Sequence, residues 1–116
     1  MALFTNILIG IVAALHAWFL VLEMFLWDKP AGRRVFRLTP EFSAASKTLA
    51  ANQGLYNGFL VAGLVWGLAS DDFHVKIFFL ACVIAAGLFG AWTIHRKVFF
   101  VQALPAIVAL ILLHLP

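Results

Sequence analysis

Acidic side chains are scarce in this chain: five Asp and Glu occur in 116 positions, and charged residues of both signs make up only 11%. Soluble domains carry about a quarter charged residues, so the shortage excludes an ordinary water-facing surface. Cysteine is scarcer still. With Cys82 alone, no intramolecular disulfide can form, and the redox compartment cannot be read from cysteine usage. No motif for a metal, a nucleotide or a catalytic nucleophile occurs, which leaves no signature-bearing enzyme class in view. Of the four histidines, His16 lies within an apolar run while His74, His95 and His114 fall at the edges of such runs. No two share a depth suited to a bis-His haem, and neither cofactor nor metal is expected. No low-complexity tract, internal repeat or soluble domain boundary is found.

Apolar residues fill the space these absences leave. They make up 65% of the chain, and the mean hydropathy is +1.05, far outside the soluble globular range. Four apolar runs, at about 3–27, 49–69, 75–92 and 98–115, approach the roughly 20 residues needed to cross about 30 Å of hydrocarbon. The expected fold is an all-α membrane protein, a bundle of four transmembrane helices in a single domain spanning 1–116. A membrane β-barrel would instead show short alternating segments separated by turns. The first run is read as a span and not as a secretory signal, because it has no preceding Lys or Arg, is too long for a signal core and carries Glu23 near its end.

Lys29, Arg33, Arg34, Arg37 and Lys47 lie in the first connection and Arg96 and Lys97 in the third; only Lys76 is near the second. Cationic loops stay in the cytoplasm, so both termini are expected outside it. The 28–39 segment alternates Arg33, Arg34 and Arg37 with Val35, Phe36 and Leu38. It is expected to lie among membrane lipids at headgroup level as a positive-inside anchor, with no nucleic-acid partner. Thr39-Pro40-Glu41 reads as an N-cap, a proline at the first helical position and an acid in the first turn, so a helix should begin near Pro40.

Glu23 is the most informative residue. A carboxylate in hydrocarbon costs several kcal/mol, so it must face protein, water or a ligand. His16, seven positions earlier, falls on the same helical face but about 10 Å away along the axis, too far for both to ligate one ion. Asn52, Gln53, Tyr56 and Asn57 share one arc of the second span, with Gly54 and Gly58 opposite them as a surface for close helix contact, which makes a homodimer an option. Gln102 falls at a depth compatible with Glu23, Asn52 and Gln53, and Pro105 frees the backbone carbonyl of Val101 beside it. Glu23, His16, Asn52, Gln53, Tyr56, Asn57 and Gln102 are therefore the candidate ligand-binding residues. A purely structural reading stands beside this one: amides that only bond neighbouring helices, and a Glu23 paired with Arg96 or a loop cation.

The strings Leu22-Glu23-Met24-Phe25 with Trp27, Leu38-Thr39-Pro40-Glu41-Phe42, Asn52-Gln53-Gly54-Leu55-Tyr56-Asn57-Gly58 and Val101-Gln102-Ala103-Leu104-Pro105 resemble small bacterial membrane proteins grouped as domain-of-unknown-function family 1304. The resemblance covers essentially the whole chain. It implies four spans in a bacterial inner membrane and brings no established activity. Many members place an acid immediately before the His of the first span, where this chain has Leu15. Three functions remain open: binding or transport of a small or amphipathic, lipid-like molecule around Glu23; an accessory or assembly role; and an isomerase-like or lipid-modifying enzyme using Glu23 and His16 as acid and base.

Overall fold

The computed structural model describes all 116 residues, Met1–Pro116, and every regular element is helical, as expected. In chain order these are α1 (Ala2–Met24), α2 (Pro30–Phe36), α3 (Pro40–Ser70), α4 (Phe73–Thr93), a π turn (Phe99–Ala103) and α5 (Leu104–Leu113). Two of them, α1 and α4, are long and apolar enough to cross a membrane. Their 23 and 21 residues reach about 32–35 Å at 1.5 Å per residue. The second expected span lies within α3, whose 31 residues begin with a polar stretch. The fourth is shorter than expected. Phe99–Leu113 extends only about 22 Å, against roughly 30 Å of hydrocarbon.

The chain divides into two compact units, Leu15–Val61 and a second formed by Met1–Ala14 with Ala62–Pro116. In the first unit, the backbone N–H groups of Phe25 and Leu26 both return to the Val21 carbonyl, which closes α1 before Trp27. The expected headgroup loop then folds into a clasp containing α2. Pro30 occupies the first turn of α2, where a missing N–H costs nothing. Arg37 ends the helix in the left-handed region, at φ 56°. Gly32 is buried because the chain passes directly over it. A Cβ there would collide with the Leu26 carbonyl and lie 2.9 Å from Trp27 Cα.

Side chains then tie the clasp to the start of α3. Trp27 Nε1 donates to Ser46 Oγ at 2.9 Å, and its ring packs on Phe36 with centroids 4.9 Å apart. Asp28 Oδ1 accepts from Ser43 Oγ at 2.6 Å and from the Arg33 guanidinium at 3.2 Å. The helix begins as its Thr-Pro-Glu start predicts. Thr39 Oγ1 accepts the Phe42 N–H at 3.1 Å, Pro40 is the first helical residue, and Glu41 lies in the first turn.

In the second unit, Asp72 caps α4 by accepting the His74 and Val75 N–H groups at 3.0 and 3.1 Å. The polypeptide reverses after α4 and packs back along it through a seam of small residues. A Cβ on Gly87 would lie 2.6 Å from Ala103 N, and one on Gly90 would lie 2.8 Å from Val98 Cγ1. Ala103, Ala106 and Ala109 are fully buried, as expected where helix backbones approach closely. The π turn has a local cause. Pro105 cannot donate to the carbonyl four residues earlier, and its ring crowds that carbonyl. The helix accommodates both with a wider turn, in which the Leu104 N–H reaches Phe99 O.

Candidate functional site

Glu23 is the penultimate residue of α1, and within the first unit it meets the middle of α3. Asn57 Nδ2 donates to Glu23 Oε1 at 2.5 Å, and Asn57 is only 5% exposed. Two glycines permit this approach. A Cβ on Gly54 would lie 3.2 Å from Glu23 Cβ and 3.3 Å from Leu20 O, and one on Gly58 would lie 3.0 Å from Leu20 Cδ1. Ala50, Gly54, Asn57 and Gly58 fall at helical spacing, so the small residues and the amide present one stripe to α1. This corrects the wheel drawn from sequence, which set Gly54 and Gly58 opposite Asn57 and offered them as a contact between chains. They are spent within the chain, against Leu20, Glu23 and Met24.

The other sequence-selected residues lie elsewhere. Asn52, Gln53 and Tyr56 are exposed, and the Tyr56 ring packs on Phe59 with centroids 5.9 Å apart. Asn57 was the edge member of their arc, next to the glycines, which is why it alone turns inward. His16 is fully buried, its ring edge-on to Phe19 at 5.3 Å. Gln102 is half-buried within the π turn of the second unit. No group of three or more His, Cys, Asp and Glu is arranged to hold a metal.

The electrostatic character of the site follows from its partner. Glu23 accepts from a neutral amide and not from a cation; the two ion pairs of the chain are Arg33–Asp28 and Lys76–Asp71. An amide orients and partly solvates a carboxylate without cancelling its charge. The arrangement can take up a proton or a cationic group.

A second polar cluster was not found from sequence, where Lys76 counted only as a loop charge. Lys76 is 4% exposed and lies one turn inside α4. Its Nζ donates to Asp71 Oδ1 at 2.7 Å and to Asn6 Oδ1 at 3.0 Å. Gly67 makes room for the aliphatic stem, since a Cβ there would lie 3.0 Å from Lys76 Cγ. Asp71 adopts φ 50° in the two-residue turn, a conformation that Asp tolerates better than most residues. Its side chain is 83% exposed, and the hydrogen bond and charge of Lys76 hold its carboxyl below the ordinary 3.8. Beside the cluster lies a cavity of about 280 Å³ bordered by Thr5, Asn6, Asp71, Phe73, Lys76 and Leu112 among others. The available signal was Gly67 and Asp71 placed nine and five residues before a lysine that sits inside an apolar run.

Fold and sites together define an all-helical protein with two helices able to cross a membrane and two polar clusters built on helix ends. Residues 10–114 match the family described as protein of unknown function DUF1304, and the chain belongs to that family. It is also similar to the uncharacterized protein YpaA of Lactococcus lactis subsp. lactis (strain IL1403), at 32% identity over 115 residues covering 96% of this chain and 97% of that protein. No solved structure matches the chain.

Proposed function

We propose that this chain is a four-span protein of the bacterial inner membrane, with both termini outside the cytoplasm, that binds a small amphipathic cation through Glu23. One observation carries the reading: Glu23 is answered by the Asn57 amide and not by a counter-ion. An acid at the centre of a span costs about 2.5–3.5 kcal/mol on insertion scales and less near its end, where Glu23 lies, and one interhelical hydrogen bond returns about 0.6 kcal/mol. A proton or a cationic ligand supplies the remaining compensation. A site that accepts either in turn can exchange one for the other, which is the elementary step of proton-coupled transport. His16 is buried on the same helix, about two turns before Glu23, and is no part of this carboxylate–amide pair.

The test uses the purified protein in detergent with a lipophilic quaternary phosphonium ion as probe, titrated calorimetrically from acid to neutral pH. Binding should weaken as protons compete for Glu23. Glu23→Gln should abolish it while leaving thermal stability nearly unchanged. A Glu23→Gln protein that binds the probe as well as the parent refutes the reading. Lost stability with unchanged binding would instead favour an accessory role, with Glu23 and Asn57 acting only as a lock between helices. Uptake of the probe into sealed vesicles would separate transport from simple binding.

A further inference from the structure

We propose that the cavity at the α3–α4 turn binds the head of a zwitterionic phospholipid, with Lys76 Nζ taking its phosphate and Asp71 its ammonium. The proposal rests on the membrane reading above but not on Glu23, which lies in the other unit. A lysine this buried is held in place by hydrogen-bond acceptors, and here its own donors are incompletely used. An ammonium has three donors; two go to Asp71 Oδ1 and Asn6 Oδ1, which leaves one for a phosphate oxygen. The Asn6 amide nitrogen is a further donor beside it.

Asp71 provides the opposite charge at the rim. Only its Oδ1 meets Lys76, and the side chain is 83% exposed. The cluster therefore presents a buried cation and, one hydrogen bond further out, an open carboxylate. A headgroup with a single negative charge would gain Lys76 but meet Asp71 as a repulsive neighbour. One carrying both signs, anion inward and cation outward, matches the pair. The volume, about 280 Å³, is just under the roughly 300 Å³ at which small-molecule pockets begin, enough for a head but not for a whole lipid. Phe73, Leu112, Leu113 and Leu115 add apolar surface to a lining that also includes Met1, Ala2 and Pro116, and the first carbons of acyl chains would lie against it. That apolar wall is why a lipid is preferred to a soluble zwitterion.

Native mass spectrometry of the full chain, released from micelles doped equally with phosphatidylethanolamine and phosphatidylglycerol, tests the assignment. The parent should retain the ethanolamine lipid over the glycerol lipid by roughly tenfold, the discrimination expected of one charge-assisted hydrogen bond. Asp71→Asn, an exposed change that Asn accommodates at positive φ, should erase that preference or reverse it toward the anionic lipid. Lys76→Gln should lower retention of both lipids, and if that variant does not fold, Asp71→Asn alone decides. Equal retention of the two lipids by the parent, or an unchanged preference in Asp71→Asn, overturns the proposal. So does free phosphoethanolamine displacing the lipid at matched concentration, because the apolar wall would then contribute nothing. Failure of phosphonium binding at Glu23 would leave these outcomes unaffected.

Discussion

Removing the Asn57 amide gives the most direct measure of what Glu23 contributes. Asn57→Ala deletes the donor to Glu23 Oε1 and also leaves a small void in a position only 5% exposed. Stability of the single variant mixes those effects. A double-mutant cycle with Glu23→Ala isolates the pairwise part, because void and propensity terms cancel when the sites are otherwise independent. Hydrogen bonds between membrane helices couple by about 0.6 kcal/mol on average, and an ionised acceptor roughly doubles a hydrogen bond's strength. The expected coupling is therefore about 1.2 kcal/mol with Glu23 ionised and about 0.6 kcal/mol with it protonated. Reversible unfolding in mixed micelles, run at neutral and at acid pH, reads both values. Coupling below about 0.3 kcal/mol at both pH values would refute the site, since that is the scale on which unconnected residues add. Equal coupling at both would show that Glu23 does not exchange a proton in this range and would remove the basis for proton competition.

Three other outcomes follow from the geometry. Gly87→Ala should lower stability by about 1–3 kcal/mol, because the new methyl meets the backbone nitrogen of Ala103, which cannot swing away; Gly10→Ala, with nothing within 4 Å, should be neutral or gain up to about 1 kcal/mol of helix propensity, and equal melting shifts for the two would contradict the packed seam. Arg37→Gly, relieving a side chain held at φ 56°, should raise the melting temperature by the equivalent of about 0.5–1 kcal/mol; a fall would mean that the arginine makes a contact worth more than the backbone strain. Asp71 titrates below its ordinary value because of Lys76, so its contribution is present above the unfolded carboxyl pKa and is lost as pH falls through the lower folded value. Acid melting curves of Asp71→Asn should lack that part of the decline, and a full acid limb in the variant would assign the loss to other carboxyls.

What could be read from the sequence divides along a physical line, between signals carried by neighbouring residues and those needing a distant partner. The start of α3 was legible because Thr39, Pro40 and Glu41 act on the backbone within one turn. Glu23 was legible because a lone acid in an apolar run is costly whatever surrounds it. The break at Pro105 was foreseen as a freed carbonyl, but not the π turn that accommodates it, in which the Leu104 N–H reaches Phe99 O. The α2 clasp escaped detection because Trp27–Ser46, Asp28–Ser43 and the close passage over Gly32 hold it together. Seven helical residues alone would not persist in water. Choosing Asn57 over Asn52 and Gln53 required knowing that the glycine side of α3 turns toward α1. The i, i+3, i+4 spacing of Gly54, Asn57 and Gly58 holds that information, once close approach outranks polarity in deciding which face is inside.

The half-buried Glu23 and the buried Lys76 call for different chemistry. Lys76 faces the same desolvation cost as any cation one turn into an apolar helix, and Asp71 answers it with an opposite charge at 2.7 Å. The opposite charges make the pair neutral as a unit, with Asp71 itself open to solvent. Glu23 has only the dipole of an amide, which lowers the cost of its charge without cancelling it. A neutralised pair selects by pattern. An uncompensated carboxylate selects by charge, and its occupant changes whenever the proton supply does. The two proposals rest on separate clusters, one at the α3–α4 turn and one at the C-terminal end of α1 with α3, so either can be tested with the other left intact.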